Sequence, residues 1–123
     1  MKNQKEQEFK RRLYKLVLRI IKFVEKCKRS QTARIVGDQL IRSSTSMIGN
    51  YIEGQSASSK KDYTNYFHHC LKSTNESKVW ISILRDTGNG DKTEANSILK
   101  ELDEISKIFG SSVLTLKGKK GNI

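Results

Sequence analysis

The sequence predicts an all-α fold, an antiparallel up-down-up-down four-helix bundle, and three observations carry that expectation. The 123 residues include no proline, the commonest helix breaker. Apolar residues recur at alternating three- and four-residue spacing over long stretches. Those stretches are separated by short connections rich in Ser, Gly and Asn, which favour antiparallel neighbours. The length is that of one domain, with a core large enough to need no disulfide. The bundle is placed at residues 1–116 and a basic, glycine-rich flexible tail at 117–123.

Helix one is expected from about Glu6 to Lys28. Phe9, Leu13, Leu16, Ile20, Phe23 and Cys27 form its seam, and a second row, Tyr14, Val17, Ile21 and Val24, widens the apolar face. That width suits a helix facing both its own bundle and something else. Ser30 or Thr32 caps helix two, which ends near Gly54 to Ser56. Ser59 with Asp62 resembles a capping box and opens helix three, expected to about Thr87. Gly88-Asn89-Gly90 reads as a turn, with Gly88 in the left-handed terminating conformation. Asp91, with Glu94 three residues later, starts helix four. Its seam is Ala95, Ile98, Leu102, Ile105, Phe109, Val113 and Leu116, weakened near Gly110. Helices of about 25 residues make a rod of roughly 35–40 Å at 1.5 Å per residue.

Arg42 to Asp62 stands apart. Ser43, Ser44, Thr45, Ser46 and Gly49 fall inside helix two, although such residues lower helix propensity. Small residues there fit a place where another backbone comes close. Thr74 and Ser77, in the seam of helix three, are the expected partners. On the same two helices Arg42, Asn50, Glu53 and Glu76 are expected to form a buried polar network. Arg42 would join a carboxylate through Asn50, because buried charges need partners.

Lys and Arg number 24 against 13 Asp and Glu, a formal net charge of +11. Such an excess favours a polyanionic partner, nucleic acid before membrane. Its strongest pattern is on helix one, where Arg12, Lys15, Arg19, Lys22, Lys26 and Arg29 follow the core seam displaced by one position. Like charges at this spacing oppose folding by about 1–2.5 kcal/mol in sum, so something should compensate them. A phosphate backbone is one answer. The acids of helix four, Asp91, Glu94, Glu101, Asp103 and Glu104, are the other. Lys117, Lys119 and Lys120 in the tail have no acidic neighbours in sequence and add to the nucleic-acid reading.

Chemistry of other kinds finds little support. His68 and His69 point about 100° apart on a helix, and no HExxH or CxxC spacing supplies further ligands, so neither metal nor cofactor is expected. The Arg-x4-His motif of helical ribonucleases is absent, since Tyr63 and Thr64 stand five residues before the histidines. Cys27 and Cys70 fall on apolar faces and read as free thiols in a reducing compartment. No secretion signal or bilayer-length apolar run is present, so a cytoplasmic protein is expected. Tyr66, Ser73 and Trp80 lie seven apart beside the seam of helix three; Trp80 reads as a core residue or, with Tyr66 and the second row of helix one, as part of a subunit interface, with a base-stacking platform the least favoured reading because rigid helices rarely splay bases.

Gln39-Leu40-Ile41-Arg42-Ser43-Ser44-Thr45-Ser46, Gly49-Asn50-Tyr51-Ile52-Glu53-Gly54, and Ser58-Ser59-Lys60-Lys61-Asp62-Tyr63 together resemble the bacterial four-helix-bundle proteins, the 23S rRNA intervening-sequence proteins. Leu84 to Gly88, Leu-Arg-Asp-Thr-Gly, fits as well, and the resemblance covers about Arg34 to Phe109. Serines here replace the family's usual alanines. The resemblance implies a small non-enzymatic helical protein, similar in fold to Avd, the accessory protein of diversity-generating retroelements. Proteins of that kind form basic pentameric barrels that bind nucleic acid and a reverse transcriptase. The expectation is therefore a homo-oligomer, pentamer preferred, that contacts RNA or DNA. The alternative is a protein-interaction scaffold with no nucleic-acid contact.

Overall fold

Each helix begins at a residue whose side-chain oxygen accepts a backbone N–H three positions on, which satisfies one of the donors a helix start leaves unpaired. Asn3 receives Glu6, Ser30 receives Ala33, Ser59 receives Asp62, and Asp91 receives Glu94. The helices that follow are α1 (Gln4–Glu25), α2 (Gln31–Gly54), α3 (Lys60–Asp86) and α4 (Lys92–Leu116). They belong to a computed structural model that describes residues 3–118. Ser30, not Thr32, is the cap of α2. α1 stops at Glu25, three residues short of the expected Lys28. α4 runs through Gly110 without a break.

Among the described residues each helix packs on its neighbours in sequence, and α1 closes the ring against α4. No diagonal pair meets, which is the order of an up-down-up-down bundle. The core is built from Leu13, Leu16, Ile20 and Phe23 of the predicted α1 seam and all but the last residue of the predicted α4 seam, with Leu40, Met47 and Tyr51 from α2 and Phe67, Cys70, Ile81 and Leu84 from α3; Ile35 and Ile52 of α2 are exposed. Near the α2–α3 connection the core is aromatic. Phe109 lies 5.6 Å from Phe9, 5.8 Å from Phe67 and 6.4 Å from Tyr51, ring centre to ring centre. Burial pushes the Tyr51 phenol up to about 12 and the Cys70 thiol up to about 12. Both cysteines are free.

The opposite end is fastened by hydrogen bonds. Gly88 takes φ +73, as its place in the turn requires. Asn89 N–H then reaches Leu84 O and Gly88 N–H reaches Arg85 O, which closes α3 in a Schellman motif. Asn89 also ties the two connections at this end together. Its carbonyl accepts from Lys28 N–H at 2.9 Å, and its side-chain oxygen accepts from the Ser30 hydroxyl at 2.7 Å.

α2 and α3 form the most extensive helix pair. The small residues make it so. Ser43 and Ser77 hydroxyls meet at 2.7 Å, Ser73 donates to Ser46 at 3.1 Å, and Ser44 and Thr74 are fully buried. The Ser44 and Thr74 hydroxyls donate to a carbonyl of their own helix; of Ser43 and Ser77, one donates to the other, and the carbonyls of Leu40 and Ser73 also lie within hydrogen-bond distance of the pair. Gly54 closes the contact, since a Cβ there would lie 3.0 Å from Tyr66 Cβ. Gly49 departs from the expectation: nothing lies within 4 Å of where its Cβ would stand, so it takes no part in the close approach.

Candidate nucleic-acid interface

The basic row of α1 divides between two directions, because a helix turns about 100° per residue and the row is not straight. Arg12 and Arg19 point to the α4 side. Arg12 Nε donates to Glu101 Oε2 at 2.7 Å and Nη2 to Glu101 Oε1 at 2.8 Å, with Glu104 accepting at 3.3 Å. Arg19 grips Glu94 in the same two-pronged way at 2.9 and 3.0 Å and donates to Ser97 as well. The pairing lies at the bundle's least extensive helix contact, α1 with α4, and supplies there what apolar packing does not.

These pairs leave a signature in acid. The Arg12 guanidinium holds the Glu101 carboxyl below its ordinary 4.5, and Arg19 does the same to Glu94. A carboxyl depressed in the folded state stabilises it fully above the ordinary value and loses that contribution as pH falls through the folded value. Glu101→Gln should therefore cost about 1 kcal/mol at pH 7, given the partial exposure of the pair. The Glu94→Gln, Glu101→Gln double variant should show a flatter loss of melting temperature below about pH 4.5 than the parent, followed by circular dichroism.

Lys15 and Lys22 point away from the bundle and are exposed. Lys26 is the C-cap of α1 and Arg29 lies in the connection after it, so Arg29 is not on the helix. Among the described residues none of these four forms an ion pair with a carboxylate. Lys22 and Lys26 do border a cleft of about 520 Å³ with Arg19, Phe23, Asp91 and Glu94, where α1 passes the start of α4. Arg11, not singled out in the sequence, is exposed on the same side as Lys15 and Lys22. Its i, i+4, i+11 spacing with them was the available signal. Lys117 is exposed at the end of α4 and donates to His68 Nε2 at 2.8 Å. Lys119 and Lys120 lie outside the described residues.

The polar network expected on α2 and α3 does not form. Arg42 and Glu53 are exposed, and neither side chain has a hydrogen-bonded or ionic partner among the described residues. Asn50 turns back on its own helix and donates to the Ser46 carbonyl at 2.8 Å and its hydroxyl at 3.0 Å. Glu76 is exposed and accepts from the Trp80 indole at 3.1 Å. The physical reason is that the serine stripe occupies the α2–α3 contact, and Arg42 and Glu53 share the face of α2 turned away from it. Buried polar groups exist here, but they are hydroxyls that satisfy one another. No buried side-chain nitrogen or oxygen among the described residues lacks a partner. No group of three or more His, Cys, Asp or Glu is placed to hold a metal ion, again among the described residues. No described helix is long and apolar enough to cross a membrane.

The sequence profile of the 23S rRNA-intervening sequence proteins matches residues 5–111. The chain belongs to that family. The match spans all of the first three helices but one residue and most of α4, so the intervening-sequence proteins share the whole bundle and not a local motif. The chain is also similar to a crystallised protein of unknown function from Bacteroides thetaiotaomicron, described as a member of the S23 ribosomal protein family. The two are 27% identical with a TM-score of 0.78, over 85% of this chain and 96% of that one. No curated protein matches the sequence.

Proposed function

We propose that this intervening-sequence protein is a non-enzymatic helical bundle that binds the phosphate backbone of RNA or DNA. The observation that carries the reading is the outer side of α1, where exposed Lys15 and Lys22 stand without carboxylate partners in a chain of net charge +11. Lys26 and Arg29 continue the row past the helix end. Lys117 adds a cation at the other end of the rod, and Lys119 and Lys120 follow it in sequence. Arg12 and Arg19 are subtracted from the interface, because Glu101 and Glu94 already hold them. The family's name, which refers to an insertion in 23S rRNA, supports RNA as the partner.

The finer reading is an oligomeric accessory factor resembling Avd, working in the cytoplasm with a reverse transcriptase. A homo-oligomer, with a pentamer preferred, is supported by the outer face of α2 and α3. Ile35 and Val79 are exposed there, and the half-buried Trp80 lies on the same helix as Val79. Such apolar surface is what a contact between copies buries. Native mass spectrometry reads the ring directly.

Fluorescence anisotropy with mixed-sequence RNA and DNA across a salt series tests the main reading. Several phosphate contacts predict a steep loss between about 50 and 200 mM salt. Lys15→Gln with Lys22→Gln should flatten the log–log salt slope by about 1.5 and weaken binding roughly tenfold or more at 0.1 M. No binding at low salt would reject the proposal and leave the protein-interaction scaffold in its place.

A further inference from the structure

The exposed side of α1 is not purely cationic. Tyr14 is 56% exposed and Leu18 47%, the first and a later turn of one outward strip. Arg11, Tyr14, Lys15, Leu18 and Lys22 fall within a sector of about 100° on the helix, opposite Leu13, Leu16 and Ile20. Glu25, at the helix end, is the one carboxylate on that sector among the described residues, and it pairs with none of the three cations. Tyr14 therefore edges a cationic flank: Arg11, Lys22 and Lys15 lie about 60–100° round the helix from it, all on one side, with Leu18 one turn on between ring and cations.

We infer that this strip binds single-stranded rather than duplex nucleic acid, with one base stacked on Tyr14 and flanking phosphates held by Arg11, Lys15 and Lys22. The inference rests on the nucleic-acid reading above and narrows it. A duplex keeps its bases inside and presents phosphates and sugars, against which an exposed ring and a leucine gain little. A single strand offers the flat faces of its bases, and stacking on aromatic side chains is sequence-tolerant because every base has such a face. The cations along one flank of the ring supply the charge complementarity that selects a polyanion over a second copy of this strongly basic chain. Lys15 and Lys22 then do more than attract; they hold the strand's phosphates along one flank of the ring.

The full-length chain is titrated by anisotropy against a labelled 20-nucleotide mixed-sequence strand, and against the same strand annealed to its complement, as RNA and as DNA, at matched salt. The single strand should bind more tightly. Tyr14→Ala should weaken it by about tenfold without changing the salt slope, leave duplex binding unchanged, and be rescued by Tyr14→Trp. Equal or tighter duplex binding, or an unchanged single-strand affinity in Tyr14→Ala, overturns the inference while leaving backbone binding in place. A Tyr14→Ala chain of altered native mass overturns it also, since the ring would then belong to a contact between copies. Failure of every nucleic acid at low salt removes the parent reading together with this one.

Discussion

Phe109→Ala is expected to lower the unfolding free energy by about 3–5 kcal/mol, the loss characteristic of truncating a fully enclosed aromatic ring. Phe109 is fully buried and meets a ring from each of the other helices: Phe9 from α1, Tyr51 from α2 and Phe67 from α3. Two of the three contacts are edge-to-face, the arrangement that adds to simple burial. Removing the ring leaves three aromatic faces around a void that no neighbour can fill without moving its own helix. Thermal unfolding followed at 222 nm should show a melting point lower by roughly 10–20 °C. Leu114→Ala, five residues on and exposed, provides the contrast and should change it little.

Ser77→Leu should be nearly as damaging for the opposite reason. Ser77 is fully buried, and its hydroxyl touches the Ser43 hydroxyl and the Ser73 carbonyl. A leucine would have to displace α2 and would also take from the Ser43 hydroxyl its partner across the interface, leaving it the Leu40 carbonyl alone. Overpacking of this kind costs about 1–3 kcal/mol, and the lost partner adds roughly another. Ser43→Ala with Ser77→Ala removes both hydroxyls together and should cost far less, because no polar group is then left alone. Chemical denaturation of the three proteins separates the two causes: a double alanine variant as unstable as Ser77→Leu would mean the hydroxyl pair, not the close approach, holds α2 to α3.

Much of this architecture is legible in the sequence because the physics is local. The Ile and Leu spacing of α4 fixes which side of it faces inward, whatever the other helices do. Ser30, Ser59 and Asp91 mark helix starts by chemistry confined to three residues. Gly88 marks an end by a backbone angle that other residues resist. The serine contact of α2 with α3 is also readable, since small polar residues at helical spacing have few other uses. What is not readable is how far each helix rotates about its axis. Arg42 lies one position from Ser43 yet points some 100° away from it, so it is exposed while Ser43 is buried. Polarity does not separate the two, and the expected network failed at that step. Arg12 and Lys15 pose the same problem on α1. Both are cations beside the seam, but α4 covers the flank of one and leaves the other in water, a fact that belongs to tertiary packing.

The hydrogen bonds from Lys28 and Ser30 to Asn89 join parts of the chain separated by 59 residues or more. Each half of the molecule, α1 with α2 and α3 with α4, is a hairpin whose bend lies at that junction. The serine seam runs between the same two halves along the rod. The bends and flanks of the hairpins thus hold them together alongside the shared core. The backbone strand that passes from one hairpin to the other at residues 55–59 is a tether between pieces already matched to each other.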